Sequence, residues 1–155
     1  MYSVCFLYSN GDGGNITTLR SAGDLLSTEQ IDGFFRTAAI HPGIALVVTG
    51  GAEGAHLFWE GRHVRCSALR VPAACMAGAG DCLLGTLLTA LVLQIPLYEE
   101  AMGRSPALEL AAACAAMKVT ALDSIHFGIT AASLSRFLRE QRISLEEMYL
   151  QRFFG

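Results

Sequence analysis

The chain predicts an α/β layered fold, a mostly parallel sheet flanked by helices that opens on an amino-terminal β-hairpin. Three features carry this. Strand-like and helix-like patterns interleave along the sequence, which is the signature of sheet and helix layers sharing one core. The run Ile44 to Val48 is apolar without a break, the type expected of a parallel strand covered on both faces. Near the start, alternating Tyr2, Val4, Phe6 and Tyr8 meet the turn residues Asn10 to Asn15 and a short run from Ile16 to Leu19, which reads as a hairpin.

Taken in order, Ser27-Thr28-Glu29-Gln30 then fits a capping box, and Ile31, Phe34, Phe35, Ala38 and Ala39 recur at helical spacing. His41-Pro42-Gly43 ends that helix and leads into the strand from Ile44. Ala55 to Trp59 is the next strand, Glu60-Gly61 turns the chain back, and Arg62 to Ala68 follows, with Pro72 closing the region. Helices dominate from there. They are expected over Asp81 to Leu93, near Leu97 to Met102, over Pro106 to Leu122, from Thr130 to Arg139 and from Ser144 to Arg152. Ser105 is placed to cap the third, with Pro106 at its first position, and Ser144 with Glu147 forms another capping box.

With 155 residues, 52% of them hydrophobic and 16% charged, the chain is long and apolar enough for one domain with a sizeable core, and its composition argues against disorder. A net charge of −3 and scattered arginines speak against a nucleic-acid partner. The longest apolar stretch, Cys82 to Pro96, is interrupted by Gly85, Thr86, Thr89 and Gln94, so it reads as a buried helix and not a membrane span. No secretory leader pattern opens the chain. Cys5, Cys66, Cys75, Cys82 and Cys114 are odd in number, widely spaced and form no Cys-x-x-Cys pair, which fits free thiols in a reducing, cytoplasmic setting.

The chemistry concentrates at Ala77-Gly78-Ala79-Gly80-Asp81, where a glycine-rich loop runs into an apolar helix. Backbone amides at a helix start and the helix dipole suit an anion, and glycines let a phosphate come close to the main chain. Asp81 has two readings at this point. It caps the helix, or it takes the proton from a hydroxyl attacking a phosphate.

This stretch, continued by Cys82-Leu83-Leu84-Gly85, resembles the carboxy-terminal signature of the ribokinase, or phosphofructokinase-B, family of sugar and nucleoside kinases. Leu46 to Ala55 resembles the strand, glycine turn and strand that flank the nucleotide there. Ala111 to Val119 is similar to the small-residue helix beside the base. The resemblance implies an incomplete ribokinase-like fold, a single partial domain over 1–155. In it 1–40 is a remnant of the amino-terminal half and 44–138 the nucleotide-binding part.

On that resemblance the activity would be ATP-dependent phosphoryl transfer to a hydroxyl of a small sugar or nucleoside, with ATP and Mg2+ as cofactors. Asp81 would be the catalytic base and Gly78, Ala79 and Gly80 the anion hole. Thr49, Gly51 and Gly54, together with Ala112, Ala116 and Val119, would face the nucleotide. An ordinary strand turn and plain small-residue helix packing are the other readings of those two sets. The family's frequent Asp-Thr-Thr is replaced here by Cys75-Met76-Ala77, which places its monovalent-cation site in question; pseudouridine kinases relax the same triplet. The sugar-gripping glycine segment and the Asn-x-x-Glu motif are not found.

A silent nucleotide-binding or partner-binding protein derived from such a kinase therefore stands beside the active one. A third reading is that the shortened sheet leaves an apolar edge or face uncovered, so that the chain is stable only as a homo-oligomer or not at all. His41, His56, His63 and His126 lack metal-ligand spacing and are read as structural, and no metal site is assigned. Asp24, Glu53 and Asp123 show no partner in the sequence, although Glu53 sits inside the nucleotide-side turn. Trp59 reads as core.

Overall fold

Short turns set the direction of the sheet. The computed structural model describes residues 2–8, 16–21, 27, 29, 32, 33, 36, 43–123, 126 and 128–155. Its strands are β1 (Tyr2–Tyr8), β2 (Ile16–Ser21), β3 (Ile44–Thr49), β4 (Ala55–Trp59) and β5 (Arg62–Cys66), in the order β2-β1-β3-β4-β5. Every pair is antiparallel, with Cys5 opposite Val47, Val47 opposite Leu57, and Leu57 opposite Val64.

The mostly parallel sheet is thus corrected. A parallel neighbour needs a crossover of a dozen or more residues. Here β3 reaches β4 through Gly50–Gly54, and β4 reaches β5 through Glu60 and Gly61 alone. Both residues of that two-residue turn have positive φ, 47° and 71°, the geometry that matches the twist of a hairpin. Leu46, Val47 and Val48 are fully buried in succession, so the apolar run reported burial on two faces correctly and carried no information on direction. The amino-terminal hairpin is present, β1 pairing with β2 from Tyr2–Ser21 to Leu7–Ile16.

Of the helix expected from Ser27, the described residues Glu29, Asp32, Gly33 and Arg36 are helical, with the Arg36 side chain donating to the Asp32 carbonyl. Its apolar positions, Ile31, Phe34, Phe35, Ala38 and Ala39, lie outside the described residues, as do Asn10–Asn15.

The chain divides into two compact units, Met1–Ser67 with the sheet and Ala68–Gly155 with four helices. These are α1 (Ala79–Val92), α2 (Pro106–Val119), α3 (Ala131–Glu140) and α4 (Glu147–Phe154). The core of the second unit is α2, buried at Leu108, Leu110, Ala111, Ala113 and Cys114 among others. Alanines on this helix let its neighbours approach closely. It starts as the sequence predicts: Ser105 Oγ accepts from the Leu108 amide at 3.1 Å and Pro106 holds the first position. α3 starts on Thr130, whose hydroxyl and Ser133 close a reciprocal capping box.

Two expectations fail in this unit. The segment from Leu97 to Met102 is a turn, closed by Glu99 N–H to the Arg104 carbonyl and Gly103 N–H to the Glu99 carbonyl. Ser144 does not cap α4, which begins after Glu146 without a side-chain cap. The Ser144 carbonyl instead accepts from Arg104, whose guanidinium also bonds Glu99 at 3.0 Å and lies 3.7 Å from Glu109. Among the described residues no helix is long and apolar enough to cross a membrane.

Candidate functional site

The loop before α1 turns on Gly78, the helix N-cap, at φ 79° and ψ 0°. A β-carbon is strained in this left-handed conformation, so glycine is favoured by the backbone itself. Gly78 brings no side-chain cap, and Ala79, Gly80 and Asp81 take the first three helical positions. Asp81 is therefore not the cap, which removes the first of its two sequence readings. Its carboxylate is exposed and has no hydrogen-bond or ion-pair partner among the described residues.

The amides at this start differ. Ala79 N–H already points at the Met76 carbonyl, at 3.3 Å, while the Cys82 amide closes the first helical bond to the Gly78 carbonyl at 2.9 Å. The amides of Gly78, Gly80 and Asp81 have no acceptor among the described residues, as a helix start leaves them. Of the predicted anion-hole residues Gly78, Ala79 and Gly80, the middle one is partly committed.

Gly80 has no folding reason to lack a side chain. Its φ is ordinary, and a β-carbon there meets nothing within 4 Å. Glycine at a helical position costs roughly 0.5–1 kcal/mol against alanine. What glycine provides here is bare main chain beside an exposed carboxylate. Gly85, one turn further along the same exposed face, is equally uncrowded.

The approach to the loop is tied to the end of α2. The Val119 carbonyl accepts from the amides of Ala74, at 2.7 Å, and Cys75, at 3.1 Å, and the Lys118 ammonium donates to the Cys75 carbonyl at 2.8 Å. Behind the loop lie two thiols. Burial pushes Cys82 up, against a Thr86 hydrogen bond and the charge of Lys118, and pushes Cys114 up to about 12. Neither is a thiolate nucleophile at neutral pH.

The other predicted site residues fall into two groups. Ala112, Ala116 and Val119 share one face of α2; Ala112 is half-buried, while Ala116 and Val119 are buried. Thr49, Gly51 and Gly54 belong to the first unit, at the β3–β4 connection. Thr49 ends β3, and Gly51–Glu53 form a 3-10 turn in which Gly54 N–H bonds the Gly51 carbonyl and Gly50 N–H bonds the Gly54 carbonyl. Gly51 and Gly54 both have positive φ, 58° and 93°. The turn needs its glycines for its own shape, and Gly51, Ala52 and Glu53 are exposed on it.

Sequence reasoning missed one cluster. His56 Nδ1 and His63 Nε2 lie 2.9 Å apart on β4 and β5, and His63 stacks on the buried Phe58 with ring centres 4.4 Å apart. Register brings them together: His56 faces Arg65, and Phe58 faces His63. Counting residues around the Glu60-Gly61 turn would have found the pair. Burial lowers both rings below the usual histidine value, aided on His56 by His63 and Arg65 and on His63 by Arg65. Among the described residues no group of three or more His, Cys, Asp or Glu side chains is arranged to hold a metal ion.

No protein-family profile and no curated protein matches the chain. Among solved structures it is similar to the aminoimidazole riboside kinase from Salmonella enterica, complexed with aminoimidazole riboside and an ATP analog. The identity is 32%, over 59% of this chain and 30% of that chain, with a TM-score of 0.47. The chain thus spans less than a third of that kinase.

Proposed function

We propose that the chain derives from an ATP-dependent kinase of small sugars or nucleosides, of the ribokinase type, and that the start of α1 is its phosphate-handling site. One observation carries this reading: amides at Gly80 and Asp81 that have no acceptor among the described residues stand beside an exposed carboxylate that does not cap the helix. The amides would meet oxygens of the terminal phosphate, where the helix dipole adds to them. The Asp81 carboxylate would orient the acceptor hydroxyl and take its proton as that oxygen bonds to phosphorus and the diphosphate leaves. A loose transition state asks for positioning and charge stabilisation more than for a strong base, so an exposed carboxylate suffices.

Magnesium would arrive on the nucleotide's phosphates, since the described residues offer no dedicated set of ligands for it. Ala112, Ala116 and Val119 are proposed for the adenine side. Nucleotide contact by Thr49, Gly51 and Gly54 is a separate proposal, tested by its own variants. A cytoplasmic location and a homo-oligomeric state belong to the same reading. The second reading is a protein that binds a nucleotide or a partner chain without turnover.

The deciding experiment is Asp81→Asn, assayed with Mg-ATP and a panel of sugars and nucleosides that includes aminoimidazole riboside and pseudouridine. Phosphorylation should disappear with fold and Mg-ATP affinity retained. A variant that phosphorylates as well as the parent overturns the assignment, and binding without turnover in the parent selects the second reading.

A further inference from the structure

Lys118 is 1% exposed, in the last turn of α2. An ammonium carries three donors and a full charge. Among the described residues it has one acceptor, the Cys75 carbonyl, and no carboxylate within ion-pair distance. Burying a charge without a counter-ion is costly, and a methionine of similar length would fill the same space at no such penalty. The carboxyl end of α2 offsets part of that cost through its dipole. Packing alone therefore gives no reason for a lysine here.

Its position supplies one. Cys75 stands three residues before Gly78, and the bond from Lys118 joins the two that Val119 accepts, so residues 74 and 75 are held to α2 at three points. The charge of Lys118 also acts on the Cys82 thiol, the side chain following Asp81, drawing it down against the upward push of burial. One side chain thus ties down the path into the loop and brings its charge to bear on the first turn of α1.

We propose that Lys118 is the positioning residue of the 75–81 loop, a tethered ammonium that holds the Cys75 carbonyl and contributes its charge to a polyphosphate bound at the start of α1. This rests on the phosphate reading of Gly78–Asp81.

The test uses the full chain as wild type, Lys118→Met and Lys118→Ala, with Mg-ATP and inorganic tripolyphosphate as probes in calorimetric titration. Lys118→Met should keep or raise the melting temperature and weaken both ligands about tenfold. Lys118→Ala should regain several-fold of its lost affinity in ammonium chloride and not in sodium chloride at equal ionic strength, a rescue that a purely structural lysine would not give. Wild-type affinity in Lys118→Met, or rescue by both salts alike, overturns the proposal. Hydrogen exchange without ligand reads the clamp by itself: the Ala74, Cys75 and Ala79 amides should exchange about tenfold faster in Lys118→Met while α2 is unchanged. Equal exchange overturns the clamp. If wild type binds neither probe, the phosphate reading fails, and the exchange data still decide the role of Lys118.

Discussion

Gly80 separates folding from binding at a single position. Because its φ is ordinary and a β-carbon would meet nothing, Gly80→Ala should raise stability by about 0.5–1 kcal/mol in urea titration. On the proposed phosphate site it should also weaken Mg-ATP at least tenfold, since the methyl group would occupy the space through which phosphate oxygens would reach the main chain. Greater stability with unchanged affinity would mean that the bare backbone is not a ligand surface. The loop-to-helix junction was legible in the residues themselves, because small residues ahead of an apolar run have few other meanings. The position of Asp81 within it was not. The helix begins two residues earlier than the carboxylate suggested, because Gly78 starts it by conformation alone and leaves no side-chain signal. Lys118 was hidden for a different reason: a lone lysine in an alanine-rich helix reads as a solvated face until burial is known.

Helix ends and strand turns show which local signals survive at the scale of an element. Ser105 and Pro106 announce α2 in sequence and cap it in structure, so Ser105→Ala should cost about 1 kcal/mol of stability by urea titration. The ends of α1 and α3 are quieter. In each, the residue after the cap, Gln94 or Arg142, takes positive φ without being glycine. Each then closes a paired carbonyl motif, Ile95 N–H to the Ala90 carbonyl and Ile143 N–H to the Leu138 carbonyl. Arg142→Gly should therefore be neutral or stabilising by up to about 1 kcal/mol, and clear destabilisation would show that the arginine side chain matters.

In the sheet, the histidine pair gives a pH dependence with a definite sign. Folded values lie below the ordinary 6.5, so the unfolded chain takes up protons first as pH falls. Stability should be level above about pH 6.5 and decline below it, and His56→Phe with His63→Phe should flatten that part of the urea-midpoint profile. An unchanged slope in the double variant would clear the pair of responsibility. Strand direction was the largest misreading at this scale. Apolarity reports how many faces are covered, whereas direction follows from the number of residues in the connection, and the two-residue turn at Glu60-Gly61 already required an antiparallel pair.

At the scale of the whole chain, strands and the four named helices are divided between the two compact units, the strands in Met1–Ser67 and the helices in Ala68–Gly155. The homo-oligomer remains a proposal to be tested on the whole chain. Sedimentation equilibrium should then find a species heavier than the 16.5 kDa chain, and a compact monomer at all concentrations would remove that part of the account. The measurement that reaches its centre is calorimetric titration of Mg-ATP into the wild-type chain and Gly80→Ala, side by side. Saturable binding by wild type that the added methyl group weakens at least tenfold, in a variant no less stable, is the expected result. No binding by wild type, or equal binding by both, would contradict a phosphate site at the start of α1.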